Sequence, residues 1–231
     1  MISYVQHEKH KIKHEKQKIM KKLNLLLIGF GLLLASCGGG ETAETTNETA
    51  PAKEEMTASE ATSYTVNTAE SNIRWEGGTA GVTVYSHFGN IKLKEGSVEV
   101  TGDKITGGTI VVDMKTIDPK DEGYSEENTP QDLVGHLSTG DFFLVEEFPT
   151  ATFEVTGSEG NNVMGNLTIR GNTNPETIVV ENVTMGEDGS MSATGKLVFD
   201  RQKYEVKWAH YLKDVVLKDE IDLTFNLVAS K

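Results

Sequence analysis

The stretch "IDLTFNLV" near the C-terminus sets Ile221, Leu223, Phe225 and Leu227 on one side of an extended chain and Asp222, Thr224 and Asn226 on the other. A period of two belongs to a half-buried β-strand, because helix faces recur every 3.6 residues. The same alternation pairs Ile73 with Trp75, Val82 with Val84, and Val98 with Val100. It carries Ile110, Val112 and Met114 on one parity, and likewise Phe153 with Val155, Val163 with Leu167 and Ile169, and Leu197 with Phe199. One apolar and one wet face per strand marks antiparallel pairing. Turn formers separate the runs: Glu95-Gly96, Thr101-Gly102-Asp103, Glu159-Gly160-Asn161, Gly171-Asn172 and Glu187-Asp188-Gly189-Ser190. Many short strands joined by tight turns predict an all-β domain, an up-and-down barrel or a sandwich. A closed barrel of about eight strands can hold one small ligand.

Helical signals are confined to one window. Thr129 is a good N-cap, Pro130 suits the first helical position, and Asp132 places an acid in the first turn. Leu133, Val134 and Leu137 then share a face, and Gly140 supplies a stop. The acidic loop "DPKDEGYSEEN" precedes this window, so one long connection between strands carries a short helix.

The N-terminal quarter has a different character. Lys21 and Lys22 precede the apolar run Leu23 to Ala35, which ends in "LLLASCGGG". That order of charge, short apolar segment and small residues is a signal peptide, here residues 1–36, with Met20 the simplest translation start. The run falls short of the ~20 residues a membrane span needs. "LASC" resembles the bacterial lipoprotein lipobox, which implies cleavage before Cys37 and acylation of that residue, palmitate included. Cys37 is the single cysteine, so no intramolecular disulfide can form. Residues 37–63 follow as a lipidated tether; from Gly38 to Ser63 there is no aromatic residue, Leu, Ile or Val. Such a segment cannot offset its chain entropy by burial, and its r.m.s. reach is about 28 Å. Residues 64–231 form the folded domain.

Cleavage before Cys37 leaves 15 basic and 33 acidic residues, a net charge of −18. A surface of that sign excludes nucleic-acid binding. Catalytic signatures are missing as well: the chain has no G-x-S-x-G elbow, no H-E-x-x-H helix and no second cysteine. His136 and Asp141 invite an acid–base reading, but a third, orienting partner is not visible beside them. The plainer reading has His136 hydrogen-bonding its loop, with Phe142 and Phe143 buried against the barrel. His87, His136 and His210 lack metal-ligand spacing, so no metal and no cofactor is expected, and the protein reads as a binding protein and not an enzyme. Arg170 and Arg201 stand near strand ends; Arg201 either meets a ligand head group or pairs with Asp200 at the surface.

The segments "GHLSTGDFFLVEEFPTATFEV", "GNLTIRGNT", "LVFDRQKYEVKW" and "DEIDLTFNLVAS", in this order, resemble the YceI-like family of lipid- or polyisoprenoid-binding proteins of the bacterial cell envelope. The resemblance implies a lipocalin-like antiparallel barrel with a long amphiphile, a polyprenyl chain or a quinone-like lipid, threaded inside. The front end, "ESNIRWEGGTAGVTVYSHFGNI", is shorter than in the periplasmic members and has a "SHFG" turn, which suggests a lipoprotein branch. The implied wall comprises the aromatics Trp75, Phe142, Phe143, Phe153, Phe199, Tyr204, Trp208 and Phe225, with the aliphatics Ile110, Val112, Leu167, Ile169 and Leu223. Arg170, Arg201 and His136 are the implied head-group contacts. Alternation alone does not separate a hollow interior from a packed one, so a solid-core interaction module stays open. The expected partners are a lipid ligand and, through acylated Cys37, a membrane; the expected location is the outer membrane of a Gram-negative cell.

Overall fold

The computed structural model describes residues 60–231, apart from Thr83, Tyr211 and Lys213. The signal peptide, Cys37 and all but the end of the tether lie outside the described residues. Ten strands are present among the described residues: β1 (Thr62–Val66), β2 (Asn72–Gly81), β3 (Ser86–Thr101), β4 (Lys104–Pro119), β5 (Thr150–Glu159), β6 (Asn162–Ile169), β7 (Asn172–Met185), β8 (Ser190–Asp200), β9 (Val215–Leu217) and β10 (Glu220–Ser230). Helix α1 (Pro130–Leu137) lies between β4 and β5, and a 3-10 turn (Arg201–Tyr204) follows β8.

All pairings are antiparallel, and eight strands close on themselves in the order β2-β3-β4-β5-β6-β7-β8-β10, with β10 returning to β2. Strand β9 only extends the tip of β2, from Thr79↔Leu217 to Gly81↔Val215. Strand β1 pairs with β3 (Thr62↔Val100) and with β10 (Thr65↔Ser230), the two neighbours that β2 also has. So β1 and β2 are one barrel stave interrupted at Asn67–Ser71. The interruption is chemically closed: Asn67 Oδ1 accepts from the amides of Ala69 (3.1 Å) and Glu70 (3.3 Å). Ser71 Oγ accepts from Val228 N at 2.9 Å and donates to Val228 O at 3.2 Å, so the break leaves both backbone groups of Val228 on β10 satisfied.

A large bulge separates Asp113 from Asp118 on β4, opposite only Lys92 and Asn90 of β3. Thr116 holds it, donating to Asp113 O (2.7 Å) and accepting from Lys92 N (2.9 Å). Extra residues on one strand reverse the side-chain parity, which is why Met114 and Ile117, three apart, are both buried.

Helix α1 begins as its sequence predicts. Asp132 N donates to Thr129 Oγ1 (3.2 Å) and Thr129 N to Asp132 Oδ2 (2.9 Å), a reciprocal capping box with Pro130 in the first turn. It stops earlier than Gly140: Ser138 is the C-cap, its amide donating to Val134 O at 3.0 Å and its hydroxyl to the same carbonyl at 2.7 Å.

The two ends of the barrel differ. At the end bearing the β3–β4, β5–β6 and β7–β8 turns the interior is filled. The Phe153 ring lies directly over Gly165 and the Phe225 ring over Gly195, where even a Cβ would collide. Tyr64, Val98, Val100, Val163, Met191, Leu227 and Ala229 are buried around them. The other end carries the β2–β3 hairpin and both long connections, 120–149 and 201–219. Among the described residues no helix is long and apolar enough to cross a membrane.

Candidate functional site

At the end with the long connections the barrel encloses a cavity of about 550 Å³, within the roughly 300–1,000 Å³ of small-molecule sites. Its depth is aliphatic: Ile73, Ile91, Val112, Met114, Leu167 and Leu223 come from five different strands. Leu133 and Leu137 of α1 look into it from above. Of the thirteen apolar residues expected on a ligand wall, nine line this cavity: Trp75, Val112, Phe142, Phe143, Leu167, Ile169, Phe199, Trp208 and Leu223.

The other four are placed elsewhere, for identifiable reasons. Phe153 and Phe225 plug the filled end over their glycines, and Ile110 presses on Gly96 there. Tyr204 is fully buried behind Phe199, its ring edge-on at 5.4 Å, and donates to Glu176 Oε1 at 3.1 Å. Burial first, then the charge and hydrogen bond of Glu176, push the Tyr204 phenol well above its ordinary value, so it stays protonated.

The mouth is roofed by aromatic rings from both connections. His136 sits edge-on to Phe142 (centroids 5.0 Å, 82°) and to Trp208 (4.9 Å, 88°), and Phe142 meets Trp208 at 5.5 Å. Edge-to-face pairs at these separations are favourable beyond simple burial. His136 Nε2 also faces Asp141 Oδ2 at 3.3 Å, so the pair that invited an acid–base reading joins a helix end to its following turn.

Neither arginine presents its fork to the cavity as a head-group site. Arg201 does touch the wall, but it is 3% exposed and its donors are committed. Nε donates to Lys218 O (3.0 Å), NH1 to Val206 O (2.7 Å) and Trp208 O (2.9 Å), and NH2 to Asp219 Oδ1 (3.0 Å). Four of its five N–H groups are thereby used. The surface pair with Asp200 is not formed; Asp200 instead accepts from Gln202 N at 2.8 Å and caps the 3-10 turn. Arg170 lies off the wall, in the left-handed conformation (φ 50°) of the β6–β7 turn. Its NH1 donates to Phe142 O (2.9 Å) and Glu205 O (2.8 Å), tying the roof to the barrel.

A polar cluster that the sequence reading left unassembled also lines the cavity. His87 Nδ1 lies 2.8 Å from Asp121 Oδ2, and Tyr124 OH donates to Asp121 Oδ1 at 3.0 Å. Phe88 N donates to the same oxygen at 3.2 Å, and the imidazole stacks on the Tyr124 ring (5.6 Å, 19°). Burial works to raise the Asp121 carboxyl, but bonds from His87, Tyr124 and Phe88 outweigh it and hold the group below its ordinary value. Tyr124 is pushed up to about 12 by burial and by the Asp121 carboxylate it donates to. His87 reads as a turn residue and Asp121 and Tyr124 as loop; the cluster exists because the 120–124 segment lies on β3, with Lys120 N donating to Phe88 O at 2.8 Å. Among the described residues no three or more His, Cys, Asp or Glu side chains are grouped so as to hold a metal.

The model of the YceI-like domain matches residues 64–229. A UPF0312 protein of Staphylococcus aureus (strain bovine RF122 / ET3-1) is 38% identical over 95 residues, 38% of this chain and 56% of that protein. One from Pseudomonas aeruginosa (strain LESB58) is 44% identical over 57 residues, 23% of this chain and 30% of that protein. The chain thus spans about half, or less, of the curated relatives it matches. Among solved structures, BcnA of Burkholderia cenocepacia superposes with a TM-score of 0.53 at 22% identity, covering 71% of this chain and 99% of BcnA. A polyisoprenoid-binding domain from Saccharophagus degradans, implicated in plant cell wall breakdown, gives 0.51 at 12% identity over 72% and 97%. These two likenesses concern the fold.

Proposed function

The chain belongs to the YceI-like family, and from that premise we propose that its barrel binds, stores or carries a long apolar ligand, a polyisoprenoid or another lipid, with the chain end deep and the head toward the roofed mouth. The observation that carries this reading is the barrel's polarity, packed over Gly165 and Gly195 at one end and hollow and aliphatic at the other. A solid-core interaction module fits that hollow poorly. The likeness to the Saccharophagus domain, itself polyisoprenoid-binding, supports the same reading at the level of fold. The role is binding without turnover: among the described residues the hydroxyl hydrogen-bonded beside His87 is that of Tyr124, which keeps its proton and donates it in a hydrogen bond to the Asp121 carboxylate. In this reading the protein is an envelope lipoprotein, held through acylated Cys37 in the outer membrane of a Gram-negative cell, with residues 37–63 as tether.

Solvent extraction of natively purified protein followed by mass spectrometry tests the ligand. A stoichiometric lipid is expected; repeated absence of one, with no uptake of added prenyl lipids, overturns the reading. Anchoring is checked on the mature N-terminus, where a diacylglyceryl mass on Cys37 is expected and is lost in Cys37→Ala.

A further inference from the structure

We infer that His87, Asp121 and Tyr124 form a head-group site that recognises a neutral hydrogen-bond donor, an alcohol or phenol, on the apolar ligand; this rests on the ligand-binding reading above. The acceptor–donor arithmetic is set by Asp121. Its side chain is 5% exposed and ionised, so it accepts three hydrogen bonds, and one comes from His87 Nδ1. An imidazole that donates from Nδ1 presents Nε2 as an acceptor in its neutral form. Nε2 of His87 makes no hydrogen bond to a described residue, although the ring lines the cavity. Tyr124 likewise spends its hydrogen on Asp121, and its oxygen, 3.3 Å from His87 Nδ1, keeps acceptor capacity toward the cavity.

With the imidazole neutral, the cluster offers acceptors beside the Asp121 carboxylate, which suits O–H and disfavours phosphate or carboxylate. Arg201, the guanidinium nearest the cavity, cannot offset this because its donors hold backbone carbonyls and Asp219. Lys218 is the remaining basic residue on the described wall, and it is solvent-exposed. The space for a head is the cavity itself, which His87 and Tyr124 both line. Across the hairpin from His87 stands Gly77, where Ile221 Cδ1 comes within 3.0 Å of the position a Cβ would take, so the wall opposite the imidazole is apolar. The site also lies at the mouth side of the aliphatic depth, since Trp75↔Gly89 and Ile73↔Ile91 follow further in. An amphiphile with its tail against Ile73, Met114 and Leu223 brings its head to this level.

The test uses the full chain at pH 8 with three probes of one C20 prenyl tail: the free alcohol, its methyl ether and its diphosphate. Binding is followed by the fluorescence of Trp75 and Trp208, the two tryptophans of the chain, both on the cavity wall. The alcohol is expected to bind about fivefold tighter than the ether, the scale of one neutral hydrogen bond, and tighter than the diphosphate. In His87→Leu and in Tyr124→Phe, with melting curves recorded to confirm folding, the alcohol–ether difference should shrink. Equal affinities for alcohol and ether in the wild type, or a preference for the diphosphate, overturn the head-group assignment and leave the lipid-binding reading standing. Failure of all three probes to bind overturns both.

Discussion

Replacing Arg201 by leucine separates two roles that a buried arginine beside a ligand cavity could play. Its guanidinium holds three backbone carbonyls, Val206, Trp208 and Lys218, at 2.7–3.0 Å, and one carboxylate oxygen of Asp219. Those carbonyls belong to the connection running from the 3-10 turn to β10, which also presents Trp208 to the roof. Hydrogen bonds from a charged donor are each worth about 1.5–3 kcal/mol, and removing the donor leaves the acceptors unsatisfied. Two of the carbonyl contacts are only partly buried, so water recovers some of the loss. A net destabilisation of about 3–5 kcal/mol follows, the scale found when one member of a buried charged network is deleted. For a domain of this size each kcal/mol moves Tm by about 2–4 °C, so the melt should fall by about 6–20 °C. Arg201→Lys should recover little, since an ammonium cannot reproduce the planar fork. Thermal unfolding by circular dichroism on wild type and variants decides the matter. A Tm within 2 °C of wild type, with lipid retention lost, would show that Arg201 serves the ligand's head and not the fold, and the reasoning from its four contacts would be refuted.

Gly195→Ala probes the filled end. A Cβ there meets the Phe225 ring at 2.6 Å and Val179 O at 2.6 Å, and because the latter is backbone a loss of about 1–3 kcal/mol is expected in urea unfolding; an unchanged midpoint contradicts the plug. Thr129→Ala removes one half of the capping box of α1 and should cost about 1 kcal/mol, read as a Tm lower by about 2–4 °C. The Asp121 carboxyl is depressed in the folded state, so the stability it contributes is present above its unfolded value near 3.8 and is lost as pH falls through the lower folded one. Acid unfolding of Asp121→Asn should accordingly show a shallower dependence below about pH 4 than wild type, and identical slopes count against the cluster. Tyr124 moves the opposite way: its folded value near 12 exceeds the unfolded 10, so its contribution is complete below pH 10 and fades toward pH 12. Ultraviolet titration of Tyr124→Phe should lose one late-ionising phenol.

Most strands were legible because alternation is local, but Val82 and Val84 alternate in an exposed loop between β2 and β3, and Glu95-Gly96, expected as a turn, lies inside β3. The alternation in Ile221 to Leu227 or in Val163 to Ile169 states which side chains share a face, and a barrel of about eight antiparallel strands is what such faces build when joined by tight turns. The capping signal of Thr129, Pro130 and Asp132 is equally local, and α1 starts where it says. Legibility fails where geometry depends on partners distant in sequence. The β4 bulge, set by Thr116 against Lys92, reverses parity and hides Ile117 from any period-two reading. Strand β7 carries Pro175 and an exposed Val179, which blur its pattern. Inward parity is the same for Phe153 and Phe199, yet one seals the barrel and the other lines its cavity. What separates them is that Phe153 faces Gly165 across the sheet, while Phe199 faces the hollow end.

The amino-acid order by itself thus determined the strand faces, the capped helix, the acidic surface and the family likeness, since each follows from neighbours within a few residues or from composition. Tertiary structure alone decided which half of the barrel is hollow, that Arg201 is consumed by backbone carbonyls, and that His87, Asp121 and Tyr124 meet at the cavity wall. The physical reason is one of range: a hydrogen bond between residues 34 apart, or a ring over a glycine on the next strand, depends on closure of the sheet, and no local period encodes that closure.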